Sequence, residues 1–358
     1  MAKILSKLFP HSHIRNIAIF YILSAVYSAW VMAGVWIFIW GMFMTKTQIG
    51  ISDSITFTIG FLFELPSGVI ADLMGRKKAI MLGNGLLSLG NLLIGLSSSF
   101  LSITVWYLAW TIGYAFQSGA TEALAYDSLK EKGLADKWNQ VIGTSTVIGR
   151  VSALTSTALG GYLFVIGFRL PYLVAACVGA VGFIASLYLK EIRVKVSGEW
   201  SIKMYLAQIK DGVSVLIKPS IARISILSLI ILSIGYMYNW GILRPLTAER
   251  FGYSPTNYAY LLSLISLTVI LSMTILRAIQ KKVSIEKRIL SSTLVYAVLF
   301  IITGFSHSWL AGGLLMISLA VALTHTEIQF SQFINEHTES RHRATTLSAV
   351  ALFTKMPY

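Results

Sequence analysis

The sequence predicts an all-α polytopic membrane protein, and three observations carry that prediction. Hydrophobic residues make up 55% of the 358 and charged residues 12%, whereas an average soluble domain carries about 25% charged residues. The apolar residues gather in ten runs of the length that a bilayer core requires, about 20 residues per helix. The basic residues alternate between the loops: with the N-terminus cytoplasmic, 23 of the 29 Lys and Arg fall on inside segments and four, Lys46, Arg169, Arg244 and Arg250, on outside loops. That bias sets the orientation and the parity of the spans. The net charge of +14 is spread over short loops rather than one soluble face, which argues against a nucleic-acid partner.

The spans follow in order. The first, 17–41, comes after Lys3, Lys7 and Arg15; it is too long for a signal-peptide core and has no small-residue cleavage site, so it is expected to be retained. The second, 54–73, and the third, 79–99, are separated by the basic loop Arg76-Lys77-Lys78, and the fourth, 102–124, follows a short outer turn. An inner segment with Lys130, Lys132 and Lys137 leads to the fifth, 140–165, and Arg169 marks the outer turn before the sixth, 170–189. The seventh to tenth are expected at 221–244, 257–279, 288–306 and 310–333, with Arg244 and Arg250 outside and the basic group at 277–288 inside. The run from Ala344 to Tyr358 is too short and polar for a full span and reads as the beginning of an eleventh.

Between the sixth and seventh spans, 190–220 mixes Lys190, Arg193, Lys195, Lys203, Lys210 and Lys218 with Trp200, Met204, Tyr205, Leu206 and Ile209. This reads as an amphipathic helix on the anionic inner leaflet, or else as a solvated linker. It divides the chain into 1–189, the linker, and 221–358. The halves share a repeat: Gly95-Leu96-Ser97-Ser98-Ser99-Phe100-Leu101 recurs as Gly304-Phe305-Ser306-His307-Ser308-Trp309-Leu310, an offset that also carries Lys78 onto Lys287. The lone cysteine, Cys177, lies in an apolar run; it gives no disulfide framework or Cys-based metal site and is read as packing.

The stretch Gly68-Val69-Ile70-Ala71-Asp72-Leu73-Met74-Gly75-Arg76-Lys77-Lys78 resembles the signature loop of the major facilitator superfamily of secondary transporters. Leu73 stands where that pattern usually has a basic residue. The glycines permit a sharp turn between two helices, and the basic cluster holds the loop at the cytoplasmic face. The resemblance implies two six-helix bundles in parallel repeat, the second incomplete here at ten full spans plus a stub of the eleventh. It also implies a cytoplasmic gate of Gly68, Asp72, Gly75, Arg76, Lys77 and Lys78, with Asp72 facing the start of span eleven and Arg76 paired with Asp127. A static interface salt bridge is the alternative reading of that pair. Phe63-Glu64-Leu65-Pro66-Ser67-Gly68, Ser118 to Leu129, and Ile334-Asn335-Glu336 with Arg343 to Ser348 resemble a bacterial, drug-exporter-like or uncharacterised subgroup. Two features depart from the proton-coupled exporters: Ser156-Thr157 occupy the Gly-Pro positions before Gly160-Gly161, and no arginine precedes Gly113.

Charges within spans are costly unless paired or hydrated. Counting 1.5 Å per residue places Arg150 about 14 Å above the inner surface, level with Glu64 and about one turn above Glu122. Glu122 is the expected partner of Arg150 and Glu64 the second choice, in a coupling role or as a structural pair. Glu327, with His325 two residues away, is a candidate to carry a proton or meet a cationic solute, or else a lone hydrogen-bonded acid. Tyr21, Tyr27, Trp30 and Trp36, Tyr114 and Gln117, and Tyr236, Tyr238, Asn239 and Trp240 are expected to line a cavity suited to amphiphilic or aromatic solutes, the alternative being interfacial anchors.

No phosphate-cradling Gly-x-x-x-x-Gly-Lys-Ser/Thr loop is present, so no nucleotide is expected and energy would come from ion or solute gradients. The expectation is a monomeric, multi-pass carrier in the cytoplasmic membrane for a small molecule, without cofactor or metal and not an enzyme, with proton-coupled export left open. A non-transporting membrane sensor or assembly protein on the same fold, or an inactive truncated transporter, is the alternative.

Overall fold

The computed structural model describes residues 8–117, 119–192, 210, 212–279, 283–338 and 343–356; within helices, side chains at 64–66, 68, 69, 72, 274–279, 343–345 and 348 lie outside the description. Among the described residues the protein is helical, with no strand. The helices are α1 Arg15–Ser28, α2 Trp36–Trp40, α3 Lys46–Met74, α4 Arg76–Leu96, α5 Phe100–Gln117, α6 Ala120–Glu131, α7 Trp138–Ile166, α8 Leu170–Leu187, α9 Ala222–Trp240, α10 Leu243–Arg250, α11 Pro255–Ile279, α12 Ile285–Phe305, α13 Trp309–His337 and α14 Arg343–Lys355. Six stretches among the described residues are long and apolar enough to cross a membrane: Arg76–Leu96, Leu170–Leu187, Ala222–Trp240, Pro255–Met273, Ile285–Phe305 and Trp309–His337.

Two predicted spans are broken. The run at 17–41 is α1 followed by turns and the short α2, not one helix. The break packs where α7 has no side chain in the way: a Cβ on Gly160 would lie 1.7 Å from the Val31 carbonyl oxygen. Ser152 Oγ donates to the Ala25 carbonyl at 2.7 Å just before it, so the small polar face of α7 receives backbone rather than side chains. The run at 102–124 divides into α5, ending at Gln117, and α6, starting at Ala120, and Gly119 before α6 takes φ 75. A left-handed backbone of that kind is cheap only for glycine and ends regular helix hydrogen bonding.

The chain forms two compact units. The first comprises Met1–Gly198 with Pro255–Ser263, and the second Glu199–Ser254 with Leu264–Tyr358. In the first, α4 packs on α5 and α8, α3 on α5, and α1 on α7 and α8. The α4–α5 crossing is close because Gly83 meets Gly113; a Cβ on either would lie 2.8 Å from the other's carbonyl oxygen, the small-residue contact expected where lipid supplies no hydrophobic drive. Cys177 is exposed on α8, correcting its reading as packing; Ala175, Ala176 and Gly179 take the buried face.

The second unit packs α12 on α13 and α9 on α12, α13 and α14, around Ile231, Leu232, Tyr238, Ile289, Tyr296, Leu319, Leu323, Phe330, Phe333 and Ala349. Val215 and Leu216, at the described end of the linker, are buried in the same core; most of the predicted amphipathic helix lies outside the described residues. On α12, Leu290, Leu294, Val298, Ile301 and Phe305 are all exposed. An apolar helix face of that length, uncovered by protein, is what a helix offers to lipid.

Candidate functional site

The basic loop is built from α3, α4 and α6. Gly75, at φ 98, both ends α3 and starts α4, so two long helices meet across a single residue. Arg76, the first residue of α4, pairs with Asp127 on α6: Nη1 donates to Oδ2, with both side chains mostly buried. Lys77 is spent locally, its backbone N–H donating to Glu191 Oε2 at 2.9 Å and its Nζ to the Leu187 carbonyl at 2.7 Å. A carboxylate at an exposed helix N-terminus satisfies an orphan donor and opposes the positive end of the dipole. Lys78 is exposed. The side chains of Glu64, Gly68 and Asp72 lie outside the described residues.

The aromatic residues of the first unit converge. Tyr27 at the end of α1 stacks on Tyr114 of α5, ring centroids 4.6 Å apart, and Tyr114 stacks on Trp110 at 5.5 Å. Trp30 stands edge-on to both, 6.1 Å from Trp110 and 6.2 Å from Tyr114. Its Nε1 donates to the Tyr27 carbonyl at 3.0 Å, which fixes the ring where helix α1 has already ended. Tyr107 extends the stack from Trp110 at 5.9 Å and meets Trp40 of α2 at 5.0 Å. Tyr27, Trp30, Trp110 and Tyr114, with Asn91 of α4, line a cavity of about 30 Å³ inside this unit. Asn91 is buried and its Oδ1 has no hydrogen-bond partner, so an apolar aromatic wall there carries one buried acceptor. Gln117 is buried away from this cavity, with its Cγ 3.0 Å from where a Cβ on Gly83 would lie.

The second unit arranges its candidates differently. Tyr236 and Trp240 touch at 6.3 Å and Trp240 is exposed. Asn239 Oδ1 accepts from Arg244 Nη1 at 2.9 Å. His325 is buried on α13, its Nε2 3.1 Å from Ser272 Oγ of α11, and its Nδ1 has no partner. Glu327 points to the exposed face of the same helix.

The expected pairing of Arg150 with Glu122 is not formed. Both side chains are exposed and neither enters an ion pair among the described residues. The expected depth rests on a continuous fourth span; the new helix α6, opened by Gly119, has Glu122 in its first turn, where the helix dipole favours an acid.

Trp110, Tyr107, Asn91 and Glu191 were missed from the sequence. The first two were within reach: Tyr107, Trp110 and Tyr114 recur at i, i+3 and i+7, one face of a helix. Glu191 was not, since its contact with Lys77 spans 114 residues.

A family profile described as Major Facilitator Superfamily matches residues 16–356. No curated protein matches the chain in sequence. Among solved structures, that of the nucleoside transporter NupG is similar at TM-score 0.75 and 14% identity, covering 96% of this chain and 87% of that one. A bacterial homologue of the human lysosomal transporter Spinster, inward-facing and unoccupied, is similar at TM-score 0.67 and 17% identity, covering 96% and 79%.

Proposed function

The chain belongs to the Major Facilitator Superfamily, and from that premise we propose that it is a secondary transporter moving a small aromatic or amphiphilic solute by alternating access. The observation that carries the solute class is the stack of Tyr27, Trp30, Trp110 and Tyr114 around one buried acceptor, Asn91 Oδ1. Aromatic faces gain about 1 kcal/mol per good contact with a further flat ring or an organic cation; with Tyr27 and Tyr114 already stacked at 4.6 Å and the cavity at about 30 Å³, the rings must part to admit it. A nucleoside, the solute named for NupG, has such a ring and hydrogen-bond donors. The fold is that of two bundles of spans in parallel repeat, set in the bacterial cytoplasmic membrane with the N-terminus inside.

In this reading the Arg76–Asp127 pair is part of the cytoplasmic gate, together with Gly68, Asp72, Gly75, Lys77 and Lys78. It ties the start of α4 to α6, the element that follows the Gly119 break, so a movement of α6 against α4 must open it. His325, buried beside Ser272, is the proposed proton carrier, and export of the solute in exchange for entering protons is the proposed driving mode.

The test is uptake into proteoliposomes of radiolabelled uridine, adenosine, tetraphenylphosphonium and benzoate, with and without an imposed pH gradient. The reading requires uptake of at least one ring-bearing solute above empty liposomes, faster under the gradient. No uptake of any of the four would refute the solute class, and uptake indifferent to pH would refute proton coupling alone.

A further inference from the structure

We infer that the first unit carries a second binding site, for a phosphate-bearing anion, in a cavity of about 710 Å³ lined by His13, Ile14, Arg15, Asn16, Ser128, Glu131, Lys132, Leu134 and Lys190. Its volume lies in the range of small-ligand sites, about 300–1,000 Å³. None of these residues takes part in the proposed solute path or gate.

The charge balance of the walls identifies the ligand. Four lining side chains are basic, and one, Glu131, is acidic. Glu131 is already engaged, its Oε1 2.9 Å from Lys190 Nζ. Arg15 and Lys132 enter no ion pair among the described residues, so two full positive charges stand on the cavity wall with no carboxylate bonded to them. A guanidinium fork and separate ammonium groups suit a tetrahedral anion with several oxygens better than a planar carboxylate with two. Ile14 and Leu134 add an apolar side to the same cavity, which a glycerol or acyl portion can cover.

The floor is rigid, which separates this cavity from a loose basic surface. Asn16 and Ser128 are buried, at 4% and 2% exposure. Asn16 Nδ2 donates to Ser128 Oγ and to the Lys190 carbonyl, both at 2.9 Å, and its Oδ1 accepts from the Lys190 N–H at 2.8 Å. One side chain thus fastens the start of α1, the end of α6 and the segment after α8. The three cationic walls belong to those three segments, so an anion bridging them braces the same junction from above.

Two sources share this chemistry, the headgroup of an anionic phospholipid and a soluble phosphate ester. The test is the thermal unfolding midpoint of the full chain in nanodiscs of phosphatidylglycerol, in nanodiscs of phosphatidylcholine, and in the latter titrated with glycerol 3-phosphate. The wild type should unfold at higher temperature in phosphatidylglycerol, or with glycerol 3-phosphate, than in phosphatidylcholine alone; which of the two acts names the source. The R15Q/K132Q variant should match the wild type in phosphatidylcholine and lose the increment, and Lys132→Gln alone should weaken the response about tenfold, the loss of one charged hydrogen bond. Lys130→Gln, an exposed lysine outside the cavity, should keep it. An unchanged wild-type midpoint in both ligands, an increment that survives in R15Q/K132Q, or one left undiminished in Lys132→Gln, overturns the site.

Discussion

The aromatic cluster of the first unit and the polar end of α9 in the second contain the same residue types and do different things with them. In the first, Tyr27, Trp30, Trp110 and Tyr114 come from two separate stretches of chain and enclose a cavity with Asn91. In the second, Tyr236 and Trp240 come from one helix, Trp240 is exposed and the amide of Asn239 is used by Arg244. The difference lies in the backbone. The turns after α1 bring Trp30 against the face of α5, and they can do so because α7 presents Gly160 to the Val31 carbonyl. Aromatic residues make a site when a second element is bent to meet them.

The largest effect that can sharpen this contrast is Gly160→Ala. Its Cβ would fall on the Val31 carbonyl, and overpacking against backbone costs about 3 kcal/mol; the unfolding midpoint in detergent should drop by many degrees and the aromatic site should be lost. Gly304→Ala on α12, where nothing lies within 4 Å of the added Cβ, should be neutral or stabilise by about 0.5–1 kcal/mol. Equal effects at the two glycines would mean that the broken first span is not held by α7.

Next in size is the Arg76–Asp127 pair of the proposed gate. Asp127→Ala removes the carboxylate bonded to the mostly buried Arg76, and the loss of that charged hydrogen bond should cost about 2 kcal/mol and lower uptake in proteoliposomes by tenfold or more. Asn239→Ala in the second unit removes one hydrogen bond to Arg244, which should cost about 1 kcal/mol and leave uptake within about twofold. If Asn239→Ala impaired uptake as much as Asp127→Ala, the division of roles between the regions would be wrong.

The smallest effect concerns acid stability. The hydrogen bond and charge of Lys190 hold the Glu131 carboxyl below its ordinary value of 4.5. A group whose folded value is depressed stabilises the fold above its unfolded value, and that contribution is lost as pH falls through the folded one. Glu131→Gln should therefore lower the unfolding midpoint slightly at pH 7 and converge on the wild type as pH falls below 4.5. Because the pair is exposed, the change should be small, and a large one would show that the junction beneath it depends on this pair.

What the sequence made legible was set by local periodicity and by charge. Apolar runs and the alternation of basic loops pointed to membrane helices, and Arg76 stood out in a recognisable loop whose resemblance implied Asp127, at the inner end of span four, as its partner. The breaks at Ala29–Val35 and at Gly119 were not visible in hydropathy, which measures side chains and not backbone. The contact of Arg150 with Glu122 does not form, since a ruler of 1.5 Å per residue fails across a break; the alternative partner, Glu64, has its side chain outside the described residues. Glu191 was invisible because nothing local marks a carboxylate that caps a helix 114 residues away.

The most direct test of the account compares two tryptophans. Uptake of the best ring-bearing solute should be measured as a function of its concentration for Trp110→Ala and Trp240→Ala, with the unfolding midpoint of each checked in detergent. Trp110 touches Trp30, Tyr107 and Tyr114, and its loss should raise the half-saturation concentration about tenfold or more, the equivalent of one or two aromatic contacts. Trp240 is exposed, and its loss should change that concentration less than about twofold. A large shift in Trp240→Ala with none in a folded Trp110→Ala would place solute binding outside the aromatic cluster and contradict the account.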